Sequence, residues 1–309
     1  MSQAPNSSIE ENILKTLLQS KIMPYIIAAL VVFFWGSTFP AVRYTLQYYS
    51  PEALMLLRFI VASGVLLIYC IWKKVPLPKK RDLPLYTASG FIGLFLYMWA
   101  FTAGTAFVSA GISSFLISTS PIFTILLAIF FLKEKTSFII WVGVLVSFLG
   151  LTIISFTQVE DMQLNFGVIL LLAASIFTSI YTIIQKYLVQ NYTSMQASAY
   201  SVIIGTIFMF IFFPTLVREF PHAPLSANLI IVYLGIFPAA IAYYFWTLAL
   251  SRAKKTVYVT SFLYLIPFIS IIMAYFWLGE EMSSLALLGG VIIVVGMVIT
   301  NLTKEKEKK

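Results

Sequence analysis

Charge is the scarcest commodity in this chain. Only 10% of its 309 residues are Asp, Glu, Lys or Arg, against 60% hydrophobic, and the mean hydropathy is +0.94. A water-soluble domain of this length needs far more charge to cover its surface, so the composition implies a membrane protein. The single cysteine, Cys70, lies in an apolar run and excludes both an intrachain disulfide and a cysteine-based metal cluster. The single histidine, His222, falls in a loop, which leaves a His-based triad or metal site little to work with. No metal or other cofactor is expected. A net charge of +8 could suit nucleic acid. The basic residues, however, sit in short clusters between apolar runs and form no patch interleaved with aromatics, so nucleic acid is set aside as a partner.

What is present is hydrophobic length. A helix needs about 20 apolar residues to cross the hydrocarbon core. Ten runs meet that requirement: 23–46, 52–72, 85–106, 109–132, 137–157, 166–186, 196–217, 227–250, 256–278 and 283–302. Residues 1–22 are polar, lack the pattern of a cleaved signal peptide, and are assigned to a cytoplasmic tail. Residues 303–309 form a basic tail on the same side. Cytoplasmic loops keep Lys and Arg. With the N-terminus inside, all 20 Lys and Arg residues fall on the inner side except Arg43, Arg58 and Arg218. The expectation is a multi-pass protein of the plasma (inner) membrane, in contact with lipid, with both termini cytoplasmic.

The chain also repeats itself. SPIFTILLAIFFLKEK (120–135) returns as IPFISIIMAYFWLGEE (266–281). A shift of 146 aligns Tyr97 with Tyr243, Pro121 with Pro267, Glu134 with Glu280, Gly143 with Gly289 and Gly150 with Gly296; earlier parts align with a shift of 143, Arg43 meeting Lys186 and Tyr49 meeting Tyr192. Each repeat holds five spans (23–157 and 166–302), and an odd number sends the second copy into the membrane from the opposite side. The charges agree: Lys133-Glu134-Lys135 becomes Gly279-Glu280-Glu281, whereas the uncharged Phe107-Val108-Ser109 becomes Ala253-Lys254-Lys255. The expected fold is therefore an all-α polytopic membrane protein of ten transmembrane helices in two inverted five-helix repeats. Inverted repeats are a mark of secondary transporters.

The residues Trp35-Gly36-Ser37-Thr38-Phe39-Pro40, Ser50-Pro51, Arg58-Phe59 and the doubled endings Pro121/Glu134 and Pro267/Glu280 resemble the EamA repeat of the drug/metabolite transporter superfamily. The resemblance covers both halves, about residues 23 to 302. It implies a transporter of small metabolites, often an exporter of amino acids or related compounds. It also implies a central cavity lined by the first four helices of each repeat.

No carboxylate falls inside a span, which argues against a proton/cation antiporter built on a membrane acid. It argues equally against a membrane enzyme acting on a lipid-linked substrate, which needs paired acids, a metal or a nucleophile. A non-transporting scaffold is the other alternative. Arg58 is the one charge well inside a span, about 9 Å below the outer boundary at about 1.5 Å per residue. It is a candidate for holding an anionic or zwitterionic group, or else a snorkelling residue. Trp35, Tyr97, Tyr243 and Tyr264, with Ser37 and Ser118, are candidates for a mildly polar substrate pocket. Pro121 and Pro267 are candidate hinge or gate positions. The repeated glycines allow close helix approach, within the fold or in a homodimer.

Overall fold

The computed structural model describes residues 23–108, 110–156, 166–278 and 284–302; the two tails, the junction between repeats and the turn holding Glu280 lie outside them. The described residues form helices only, and nine are long and apolar enough to cross a membrane. These are α1 (Met23–Thr45), α2 (Pro51–Trp72), α3 (Lys80–Phe107), α4 (Gly111–Phe131), α6 (Phe166–Leu188), α7 (Ser194–His222), α8 (Leu225–Arg252), α9 (Thr256–Met273, its last helix running on to Leu278) and α10 (Ser284–Asn301). Between α4 and α6 lies α5 (Phe138–Phe156), whose qualifying apolar stretch is shorter. This is the ten-helix fold that the hydrophobic runs predict.

Local chemistry starts the second helix of each repeat at matching positions. Ser50 caps α2, accepting the Ala53 N–H, with Pro51 in the first turn. Its counterpart Thr193 caps α7 through a capping box with Gln196.

The packing repeats as well. α1 lies against α8 and α9, and its counterpart α6 lies against α3 and α4. Two helix pairs relate counterparts directly. In α2 and α7, Ser50 donates to Glu219 from its N–H and hydroxyl (2.8 and 3.1 Å), and further along Ser63 meets Thr206 at 2.6 Å. Residue numbers rise on one helix as they fall on the other, so the two run antiparallel. In α5 and α10, Gly143 lies against Gly296, Gly150 against Gly289, and the Ser147 hydroxyl donates to the Ile293 carbonyl at 3.3 Å. These also run antiparallel. Ser63/Thr206 and Ser147/Ile293 are pairs of equivalent residues touching one another, as they must where an approximate two-fold axis crosses the membrane plane. The repeat is inverted. The glycines serve this α5–α10 contact within the fold.

Further ties come in equivalent pairs at the two ends of the bundle. The Tyr49 hydroxyl donates to Asn228 and the Tyr192 hydroxyl to Asp82, both at 2.5 Å. Arg43 donates to the Val108 carbonyl at 3.0 Å, and Lys186 to the Leu250 and Ala253 carbonyls at 2.7 and 2.6 Å. A cation at the last carbonyls of a helix satisfies groups that have no partner within it and complements the helix dipole. Glu134, at the end of α4, accepts both the backbone N–H and the hydroxyl of Thr256 at the start of α9. Leu145, Leu149, Val291 and Val295 on α5 and α10, and Ile207 and Ile211 on α7, are exposed. Apolar residues on an outer surface suit lipid.

Candidate functional site

The third helix of each repeat does not stay α-helical. Phe91–Leu96 in α3 and Gly235–Ile241 in α8 are π-helical, at matching places in the two copies. Such wide turns occur frequently at functional sites. Each ends just before a tyrosine, Tyr97 in α3 and Tyr243 in α8, and both tyrosines face one cavity. The fourth helix of each repeat is interrupted too. α4 breaks at Ser118–Thr119, and α9 narrows to a 3₁₀ stretch at Ser261–Leu265. Pro121 and Pro267 follow these breaks in the first turn of the resumed helix, where a missing N–H costs nothing.

The cavity is lined by Trp35, Thr38 and Phe39 of α1, Arg58 of α2, Tyr97, Met98 and Phe101 of α3, Ile117 and Ser120 of α4, Thr178 of α6, Tyr243 of α8, and Leu263 and Ile266 of α9. Every one of the first four helices of both repeats contributes except α7. Arg58 lies seven residues inside α2, at the end away from the Lys73–Lys80 turn. The cavity therefore occupies the middle of the bundle and the half opposite the lysine-rich face.

Arg58 is the unusual group. Its side chain is 2% exposed. Its Nε has no hydrogen-bond partner, and Nη1 has only the Met98 sulfur at 3.8 Å. No carboxylate among the described residues pairs with it; the ionisable groups near enough to act on it are Tyr243, Tyr97 and Tyr233. A buried cation without a counter-charge is costly, and such a residue inside a membrane protein marks a site. Below it lies an aromatic floor. The Trp35 ring packs on Tyr243 and Trp246, with centroids 5.7 and 5.1 Å apart, and Tyr243 packs edge-on to Tyr181. The Trp35 N–H donates to the Pro238 carbonyl within the π segment at 3.0 Å.

Of the residues the sequence nominates, Trp35, Arg58, Tyr97 and Tyr243 therefore share one cavity wall. Ser37, Ser118 and Tyr264 are not on it. Ser37 turns away to meet the Tyr233 hydroxyl at 2.6 Å and the Phe34 carbonyl. Ser118 and Tyr264 are fully buried with unpartnered hydroxyls, Tyr264 in the cluster that joins α4, α5, α9 and α10. Pro121 and Pro267 each adjoin a lining residue, Ser120 and Ile266. The apolar and small lining residues Phe39, Met98, Phe101, Ile117, Thr178 and Leu263 escape sequence reasoning. In so hydrophobic a chain nothing distinguishes a lining leucine from a lipid-facing one, although Phe39 and Thr38 do belong to the motif that begins at Trp35.

The model of the EamA-like transporter family matches residues 22–156 and again 165–302. An uncharacterized transporter, YdfC, of Bacillus subtilis (strain 168) is 35% identical over 290 residues, covering 91% of this chain and 92% of that protein. A probable terminal-alkyne amino-acid exporter of Streptantibioticus cattleyicolor is 34% identical over 272 residues, covering 88% and 91%. A solved crystal structure aligns with a TM-score of 0.76 over 94% of this chain and 99% of its own, at 16% identity, a likeness of fold alone. Two copies of one family model, with relatives that match over nearly their whole length, decide the class: the chain belongs to the EamA-like transporter family and is a multi-pass membrane transporter, not an enzyme.

Proposed function

We propose that the protein exports a small amphipathic carboxylate, an amino acid or a close relative of one, across the plasma membrane. The observation that carries this reading is Arg58, buried on the cavity wall with no acid to neutralise it. A planar guanidinium offers two parallel N–H groups to a carboxylate, and the pair is strongest where water is excluded. The other walls suit the remainder of such a molecule. Trp35, Phe39, Tyr97, Phe101 and Tyr243 present aromatic surface for an apolar side chain, and Thr38 and Thr178 add small hydroxyls. The lining holds no carboxylate, so a purely cationic substrate would meet the charge of Arg58 and no counter-charge.

The relative named as a probable amino-acid exporter supports both the substrate class and the direction. The lysine-rich turns support a cytoplasmic placement of the face that carries them, and hence of both termini. Movement follows from two inverted halves that exchange shapes, with Pro121 and Pro267 as hinges beside the cavity. Such a cycle requires the substrate to contact the two states differently.

The experiment is counterflow in proteoliposomes with a panel of labelled amino acids, other small carboxylates, and neutral and cationic amines of similar size. Uptake of one or more carboxylates, competed only by compounds that bear the group, is the expected result. Transport of amines with indifference to carboxylates would overturn the reading.

A further inference from the structure

The cavity has a closed counterpart. The two repeat shifts carry Thr38, Arg58, Tyr97 and Phe101 onto Tyr181, Ser201, Tyr243 and Thr247. In the half away from the lysine-rich face the first four residues border open space. Of the second four, Tyr243 reaches the same cavity from the lysine-rich side, and Tyr181, Ser201 and Thr247 are packed into the lysine-rich half with exposures of 1% or less. A polar side chain whose counterpart is apolar lies among them. Gln185, of α6, is 0% exposed, and the equivalent residue on α1 is Val42.

The Gln185 amide nitrogen donates to Ser89 on α3 and to Ser201 on α7, each at 2.9 Å. Its carbonyl oxygen lies 3.2 Å from the Thr247 hydroxyl on α8, which also meets the Tyr243 carbonyl at 2.9 Å. One residue earlier on α8, the Trp246 N–H donates to Thr182 on α6 at 3.2 Å. Four helices thus converge on one amide. The same four helices have as counterparts α8, α1, α2 and α3, which border the open cavity.

We infer that Gln185 is the latch of the lysine-rich half of the pathway. While its bonds to Ser89, Ser201 and Thr247 hold, that half is shut and the cavity is reached from the opposite face. When they break, α3, α6, α7 and α8 separate as their counterparts are separated here, and access changes sides. The inference rests on the proposed alternation between two states but not on the substrate.

Its test needs no substrate and so fails or succeeds separately from the reading of Arg58. In a Cys70→Ala background, Ser198→Cys places one thiol in the shut half, and Ile117→Cys in a second protein places one on the cavity wall. Both proteins, in membrane vesicles of each orientation, are labelled with a membrane-impermeant maleimide. Adding Gln185→Ala is expected to raise the labelling rate of Ser198→Cys from the lysine-rich face at least tenfold and to lower that of Ile117→Cys from the other face. Ser89→Ala and Ser201→Ala each remove one bond and give intermediate changes, and they decide the matter if Gln185→Ala does not fold. Unchanged rates across the variants, or a rise at both reporters together, would overturn the inference. The second outcome is what a merely structural role of Gln185 produces.

Discussion

Replacing Arg58 by Met separates a site from a structural clamp. The guanidinium is buried with an unpartnered Nε and only a sulfur at Nη1, so the unliganded protein bears a desolvation cost that no partner offsets. Insertion experiments put an arginine at a helix centre at about 2.5–3.5 kcal/mol. Water reaching the cavity lowers that figure. A methionine of similar length, which also suits the neighbouring Met98 and Phe101, should therefore raise stability by about 1–2 kcal/mol. The same change removes two charge-assisted hydrogen bonds to a substrate carboxylate, each worth about 1.5–3 kcal/mol, so affinity should fall by at least about 100-fold. Arg58→Lys keeps the charge but loses the fork, and should bind at an intermediate level without the gain in stability. The assays are thermal unfolding of purified protein in detergent and counterflow in proteoliposomes. Opposite signs in the two measurements are the signature of a site. A methionine variant that is less stable, or one that transports normally, refutes the assignment, because either result means that Arg58 holds helices together or faces away from the substrate.

Other predictions concern the scaffold. At Gly150 an added Cβ would lie 2.6 Å from the Gly289 carbonyl oxygen and 2.8 Å from the Ile293 nitrogen, backbone atoms that cannot yield singly. Gly150→Leu should force α5 and α10 apart and cost about 1–3 kcal/mol or more, read as a lowered unfolding temperature; an unchanged temperature would show the contact to be loose. Lys133 ends α4 with φ 56°, in the left-handed region, and the sequence repeat puts Gly279 at the matching place. Lys133→Gly should raise stability by up to about 1 kcal/mol, measured the same way, and a loss would mean that the lysine makes an essential contact. The Tyr192 hydroxyl, in the turn between α6 and α7, is held above its usual range, first by its bond to Asp82. Its tie is complete below the ordinary tyrosine pKa of about 10 and is lost as pH rises through the raised value. The difference in unfolding temperature between wild type and Tyr192→Phe should be constant near neutrality and disappear in the alkaline range. A difference that grows with pH would reverse the sign of the argument.

The fold was legible because the bilayer leaves few options. Apolar length fixes the spans, a doubled Pro, Glu and Gly register fixes the duplication, and five spans per copy fix its inversion. The glycines show where reading from sequence stops. Their seven-residue spacing on both fifth helices is visible, but whether they meet each other or a second copy depends on tertiary packing, and they meet each other across α5 and α10. Arg58 stood out since charge inside a span is rare. Ser118 and Tyr264 show the reverse case. A buried hydroxyl in a span looks the same in sequence whether it faces a cavity or a core, and both are buried away from the cavity lining. The π turns before Tyr97 and Tyr243 left no sequence trace apart from Pro238, yet they bring two tyrosines of opposite repeats to one wall.

A perfectly symmetric inverted duplication would give its two shapes equal energy, and the transporter would rest in neither. The sequence breaks that symmetry at two pairs of equivalent positions. Where one half has Arg58, the other has Ser201, and where one has Val42, the other has Gln185. The arginine is left unpaired beside open space, while the amide is tied to three helices. A net worth of about 1 kcal/mol for each of three hydrogen bonds biases the empty protein toward the shape with the lysine-rich half shut by roughly 100-fold. A carboxylate bound to Arg58 adds to that bias only if it binds this shape better than the other. For export, the substrate must therefore arrive while Gln185 is released and be held less tightly once the latch has closed behind it. The divergence between the repeats, rather than their likeness, then sets the direction in which the molecule relaxes.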